Sequence, residues 1–449
     1  MASDEADDPF FGRLRFADDT NKQIKGFASA DSYQAGDSLD LHVSVAGGGD
    51  FSIDVLEVGW FEGAGHRIVH TASATGIEQP PEVIDDRGMV TCAWESSFSL
   101  PVPSSWASGV YLALLRRGDG MANYVPFVVR DAEPSADIIY VHPTSTSQAY
   151  NAYPLGAGGK SLYDFNSSAA LTDVGNPRAY RVSGQRPFDG IGDGGFAVFG
   201  LAGYWWLSRN GWSVTTLSTT DVHRDPELLQ TARCVVSGGH DEYWSSARYD
   251  AFADARDNGT SLFFMGANVA YWQIRYEESG SDLRPDITCY KSEDDDPNKA
   301  DDDVTTLTRH AGRPEQSLVG VGLMNVVVDT EDLSLRSDFI AENTDHWAYE
   351  GTGLSNGDVV AGILGNETDA RDPVQPLPES SSFTRLGVGT VAGEMGETIA
   401  ETVLYEAPSG ALVFASGTLA WEEALDLTDQ LYDDRIDTLS TTIVNRMLA

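Results

Sequence analysis

The sequence predicts an α/β protein with an all-β N-terminal domain: a β-sandwich, then a doubly wound, mostly parallel sheet. Three observations predict it. Residues 21–131 carry short runs at even spacing, alternating apolar and polar, with Gly-rich turns and no helical period. Residues 135–449 alternate continuous apolar runs with helical stretches, as strands covered on both faces do. The length, 449 residues with a 41% hydrophobic share, gives room for two or three domains with sizeable cores.

Residues 1–20 read as a loose acidic tail. In the sandwich, an Ig-like unit, Ser38–Val45 and Phe51–Leu56 alternate across a Gly47–Asp50 turn, and Ser96–Val102 and Gly109–Arg116 behave alike. Asp131–Pro134 marks the boundary. Strands follow at Asp137–His142, Gly211–Leu217, Cys234–Ser237, Ser261–Met265 and Gly410–Ala415. Helices are expected at Phe196–Arg209, at Ser245–Asn258 (capped by Ser245 or Ser246 and stopped by Gly259) and at Thr438–Leu448. The pattern between 275 and 345 assigns no element.

Basic residues number 29 against 69 acidic, a formal charge of −40. No Lys/Arg run exists to displace counterions from phosphates, which excludes nucleic acid as the first reading and disfavours anionic membranes. With five Lys against 24 Arg, the shell resembles that of a salt-loving organism's cytosolic protein, since strong salt screens self-repulsion. No apolar run approaches the roughly 20 residues of a membrane span, and the first 20 residues lack a signal peptide's pattern, so a cytoplasmic location is expected. Cys92, Cys234 and Cys289 have no CxxC spacing, which argues against a disulfide framework or thiolate metal site.

Open parallel sheets bind ligands beyond the carboxyl ends of their strands. Four strand ends here carry polar and aromatic residues with few of the charges that dominate elsewhere: 142–153, 238–244, 266–272 and 416–421. The centre is GGHDEYW (238–244): paired glycines permit a sharp turn, His240 and Glu242 follow two apart, and the next helix points its N-terminal dipole at them. The bland alternative is a capping turn with surface Asp241 and Glu242. The turn holds no Cys and no GxSxG elbow exists, so a covalent thiol or serine mechanism lacks its nucleophile. A second cluster, Tyr150, Tyr153 and Tyr163, sits in a Gly-rich stretch. One such Tyr is ordinarily loop packing. Two phenolates and a carboxylate, however, supply three hard anionic oxygens, which match Fe3+.

AYN (149–151), GGKSLYDF (158–165), GGHDEYW, MGAN (265–268), HWAYEGTGL (346–354) and GNETD (365–369) together resemble the large (beta) subunit of N,N-dimethylformamidase, over most of residues 25–449. The resemblance implies a glutamine-amidotransferase-like α/β domain after the sandwich. It also implies a mononuclear iron held by two tyrosines and a glutamate, hydrolysing the carbon–nitrogen bond of a small amide. The ligands carried over are Tyr150, Tyr163 (with Tyr153 as the alternative) and Glu242. His240 and Glu367 become proton carriers, Asn268 a pocket amide and Thr146 a supporting hydroxyl. A small partner subunit is implied by the family; a homo-oligomer is the other expectation. Tyr243, Trp244, Tyr271 and Trp272 are expected in core or pocket wall. Two rival readings remain: a zinc or manganese hydrolase on the same scaffold, and a non-catalytic protein binding a carbohydrate or protein partner.

Weaker signals point elsewhere. Gly190–Gly195 fits GxGxxG, but no strand precedes it closely. The acidic run 293–303 lacks the central Gly and closing Glu of an EF-hand and reads as a solvated loop. Sequons at Asn166, Asn258 and Asn366 carry little weight without a secretion signal.

Overall fold

The computed structural model describes residues 5–86, 88–163, 178–277, 284–327 and 332–449. The sequon at Asn166 and the end of the GGKSLYDF motif, residues 164 and 165, lie outside them.

The N-terminal region is a sandwich of a seven-stranded and a three-stranded sheet. Ser38–Val45 pairs with Ile24–Ala28 and Phe98–Pro101 in the small sheet. Gly49–Val58, Gly109–Arg117 and Met121–Val129 form the centre of the large one. Leu41 and Val43 from one sheet meet Val55, Ala113 and Val125 from the other in the core between them. Gly109–Leu115 is buried throughout rather than on alternate residues. Leu112 and Leu114 face the other way and join the core of the following region with Tyr204 and Trp205. The loose tail expected at 1–20 is a correction: from residue 5, Glu5–Asp8 and Gly12–Phe16 form a hairpin that extends the large sheet. Buried Asp8 fixes it by accepting from the Phe10 and Phe11 N–H groups and the Tyr124 hydroxyl.

After Pro134 the chain builds a nine-stranded sheet. Its strands are β1 (Ile138–His142), β2 (Val214–Ser218), β3 (Cys234–Ser237), β4 (Ser261–Phe264), β5 (Ser337–Ala341), β6 (Val359–Leu364), β7 (Ser382–Gly393), β8 (Gly396–Glu406) and β9 (Leu412–Ala415). The order is β2-β1-β3-β4-β9-β8-β7-β5-β6. The first five run parallel, as the sequence suggests. From β9 onward every pairing is antiparallel, so the expected mostly parallel sheet is a mixed one. The long β7–β8 hairpin extends the sheet, with a two-residue reversal at Glu394 and Met395 that needs no crossover helix.

The parallel half reads as continuous apolar sequence because both faces are covered. Tyr140, Val236 and Phe263 pack with α2 (Leu201–Arg209) and α4 (Asp434–Met447). Ile139, Val235 and Leu262 pack with α3 (Ser246–Asp257). Helix α2 starts at Leu201 rather than Phe196, because Gly194, Gly195 and Gly200 hold positive φ and break the helical path. Ser245 caps α3 by accepting the Arg248 N–H. A short helix, α1 (Thr144–Tyr150), follows β1. Strand order reverses between β1 and β3, and a ligand is expected at the carboxyl ends flanking such a switch point. Among the described residues no helix is long and apolar enough to cross a membrane.

Candidate functional site

The ends of β1 and β3 meet at that switch point. Beyond β3, Gly239 takes φ 68°, and a Cβ there would lie 2.4 Å from the Phe199 carbonyl oxygen, so glycine is required. The buried Glu422 carboxylate accepts the Gly239 N–H at 2.6 Å and pins the turn. The next two residues then part. Asp241 turns inward to accept from the Ser237 hydroxyl at 2.6 Å and from both ends of the buried Arg248 guanidinium. Glu242 turns to α1, where its Oε2 accepts the Tyr150 hydroxyl at 2.5 Å. Thr146 on α1 accepts the Glu242 and Tyr243 N–H groups at 3.0 and 3.1 Å and so locks the two strand ends together. Both acids are buried, so the surface alternative for Asp241 and Glu242 is set aside.

His240 lies between two carboxylates, its Nε2 2.9 Å from Glu367 Oε2 and 3.5 Å from Glu242 Oε2. Glu367 opens the strand Glu367–Ala370, which pairs with Gly322–Val326. The Tyr150 ring lies 5.2 Å from Tyr163, stacked, and 5.1 Å from His240. The Lys291 ammonium sits over Tyr163, Trp272 and Tyr243 at 4.5, 4.6 and 5.3 Å.

The electrostatics follow from burial. Desolvation, with the Glu242 charge beside it, lifts Tyr150 well above the usual phenol range. Burial also lifts Glu242 above the usual carboxylate range, against the pull of His240 and with Glu367 adding to the rise. Burial alone would discharge His240, but Glu367 and then Glu242 outweigh it and hold the imidazolium above its usual range. Behind Glu367, burial pushes Asp369 up to about 8.

Tyr150, Tyr163, His240, Glu367, Asn366 and Thr146 line a cavity of about 400 Å³. Tyr153 does not join them. It is fully buried in a separate core with Phe27, Cys92 and Trp94, whereas Tyr163 is the ring stacked on Tyr150. Asn268 is buried at the end of β4 in a left-handed conformation, its N–H donating to Asp369 Oδ1 at 2.9 Å, and it is not a described wall residue of the cavity. Tyr243 and Trp244 are core, and neither they nor Tyr271 and Trp272 are described wall residues.

Two contributors escape sequence reasoning. Lys291 comes from the stretch that assigns no element, and its aromatic cradle is assembled from three distant segments. Asn366 shows in the sequence only as a sequon. It holds φ 61°, and its buried amide oxygen has no hydrogen-bond partner among the described residues. The GxGxxG stretch follows no strand. Its Asp193 accepts the Gly195 and Ala197 N–H groups of its own turn, and Gly194 and Gly195 serve as cavity wall. In the acidic loop, Asp296 is satisfied by Thr305, Asn298 and Arg275.

Among the described residues, no three His, Cys, Asp or Glu side chains gather in a metal-holding group. The Tyr150 hydroxyl on Glu242 Oε2, with the Tyr163 ring stacked alongside, brings phenol and carboxylate oxygen together at this turn, the hard oxygen chemistry that a trivalent ion prefers.

A family model described as N,N-dimethylformamidase beta subunit-like, C-terminal, matches residues 52–434. The chain belongs to this family. Two N,N-dimethylformamidase beta subunits are similar to it: one from Alcaligenes sp, 22% identical over 423 residues, and one from Paracoccus aminophilus, 20% identical over 425 residues. Each alignment covers 80% of this chain and 54% of the relative, so the chain spans about half the length of the dimethylformamidase subunits it matches. Among solved structures, an uncharacterised protein from Bacillus anthracis aligns with 23% of this chain and 84% of its own, at 15% identity and a TM-score of 0.16. A likeness that slight says nothing about the site.

Proposed function

We propose that this chain is an iron-dependent hydrolase cleaving the carbon–nitrogen bond of a small amide. One observation carries the reading: a buried Tyr150–Glu242 oxygen pair, 2.5 Å apart, beside a histidine held between two carboxylates on the wall of a cavity. Membership of the dimethylformamidase beta subunit-like family supports it.

Tyr150, Tyr163 and Glu242 would hold Fe3+ as three anionic oxygen donors. When bound, the ion supplies a Lewis acid for the amide carbonyl and acidifies a water molecule toward the neutral range. The chain's own residues do the rest. Thr146 and Glu422 fix the turn that carries His240 and Glu242. His240 Nε2 moves a proton to the departing amine nitrogen, and Glu367 keeps the ring oriented and charged. Phe188, Phe199 and Leu419 keep bulk water from the reacting carbonyl. The matched relatives are named as beta subunits, so a partner subunit forms part of the proposal, as does a cytoplasmic location.

The test is iron content by mass spectrometry together with the visible spectrum, on the protein purified in high salt. About one iron per chain, with a phenolate-to-iron charge-transfer band, is expected. Glu242→Ala, folded by circular dichroism, is expected to lose both the iron and, by about 10³-fold or more, formamide hydrolysis. A folded Glu242→Ala protein that keeps stoichiometric iron overturns the ligand assignment.

A further inference from the structure

The cavity is too large and too apolar for the smallest amides. A five-heavy-atom amide fills on the order of 100 Å³, counting each heavy group at somewhat less than the ~30 Å³ that a water occupies in the liquid. The space beside Tyr150 and His240 is about 400 Å³. Its walls carry both kinds of group. Tyr150, His240 and Glu367 supply the polar cluster. Around it, three separate stretches of chain contribute apolar groups: Phe188 and Phe199, the latter 5.6 Å from the His240 ring, from the loops before α2, Val326 and Val327 beside Glu367 from the end of the strand Gly322–Val326, and Leu419 from beyond β9. Phe188, Val327 and Leu419 line the cavity while more than nine-tenths buried, so the apolar wall is held in place by packing behind it. Apolar wall of this kind gains from a ligand that displaces water from it.

From this we infer that the physiological substrate is an amide carrying an apolar substituent much larger than methyl, an alkyl chain of four or more carbons or a phenyl-bearing group. The inference rests on the amide-hydrolase reading. Water adds its oxygen to the carbonyl carbon, the carbon–nitrogen bond breaks, and the nitrogen takes the proton, giving a carboxylic acid and an amine. The apolar group stays seated against Phe188, Phe199, Val326, Val327 and Leu419 throughout.

The experiment is a homologous series on the iron-loaded protein: N-methyl-, N-ethyl-, N-butyl-, N-hexyl- and N-benzylformamide, read as kcat/KM. Each added methylene is expected to raise kcat/KM about fourfold until the cavity is full. Val326→Trp, at a half-buried wall position that accepts a larger side chain, is expected to cut the hexyl-to-methyl ratio at least tenfold. Equilibrium binding of the same series by calorimetry gives a readout independent of turnover, with affinity rising along the series and a negative heat-capacity change. A flat or falling kcat/KM beyond N-methyl, in a protein that binds iron and cleaves N-methylformamide, overturns the inference and leaves the amide-hydrolase reading standing. If neither iron nor cleavage is found, that reading fails by itself. The calorimetric series then decides the cavity's preference: rising affinity supports it, and no binding of the hexyl or benzyl compound ends it.

Discussion

Glu242 and Glu401 are the same residue buried to the same degree, each 2% exposed, one just beyond the parallel β3 and one on the antiparallel β8 of the same sheet. Glu401, on the antiparallel β8, is gripped by Arg371 at 2.7 Å and Arg385 at 2.9 Å. Burial opposes its ionisation, but those two guanidiniums win and hold it down to about 2. Glu242, at the parallel end, has a tyrosine hydroxyl and a histidine shared with Glu367, and its carboxyl is pushed the other way. Burial alone therefore does not mark a site. What separates the two is whether the fold sets guanidiniums directly on the carboxylate: the pull of Lys291 and His240 on Glu242 does not overcome its burial. The parallel end withholds arginine from Glu242 while giving one, Arg248, to its neighbour Asp241.

The comparison breaks hardest at Asp241. Asp241→Asn strands the buried Arg248 guanidinium, and a loss of about 3–5 kcal/mol of stability is expected by urea unfolding, larger than any single change at Glu242 produces. A near-neutral result would mean that Arg248 is held by its packing over Trp244, 3.9 Å from the ring centroid, rather than by the acid.

Glu401→Gln sharpens the other side. It is expected to cost about 2 kcal/mol near neutral pH, since Arg371 and Arg385 are about one-third exposed and reach water. It leaves formamide turnover within about twofold, since Glu401 lies outside the cavity. The sign of the pH dependence follows from the lowered carboxyl. Its contribution is complete above the ordinary value of 4.5 and is lost as pH falls toward about 2, so the acid limb of the stability curve is expected to flatten in the variant.

The smallest change is Thr146→Val. It leaves the Glu242 and Tyr243 N–H groups without their acceptor, with about 1–2 kcal/mol lost and turnover down about tenfold as Glu242 drifts from Tyr150. Full turnover in a Thr146→Val protein of lowered stability would make the hydroxyl purely structural.

The parallel half of the sheet and its turn were legible because the signals are local. A buried strand, two glycines and a capped helix fall within about 25 residues of one another, and His240 and Glu242 ride on them. Tyr150 follows from β1 in the same way. What the sequence hides is made of distant partners. The hairpin at 5–16 reads as a charged tail because its anchors, Tyr124 and Met121–Ala122, lie more than 100 residues away. Tyr163 and its alternative Tyr153 sit in one Gly-rich stretch, and tertiary packing sends Tyr153 to Trp94 and Tyr163 to Tyr150. The antiparallel extension went unread because the β7–β8 strands, rich in Gly, Thr and Glu, lack the continuous apolar run of their parallel neighbours.

The large sandwich sheet is apolar on both faces, one turned to its partner sheet and the other to α2 and the nine-stranded core. The boundary at Asp131–Pro134 is therefore a boundary in the chain but not in free energy. Cutting there would strip Leu56, Leu112, Leu114 and Tyr124 of their cover and leave each piece with an adhesive face. Sandwich and cavity are thermodynamically coupled: whatever loosens the first 131 residues also loosens the floor on which α2 and the Phe199 turn rest. Heating should melt the two together, in one cooperative transition.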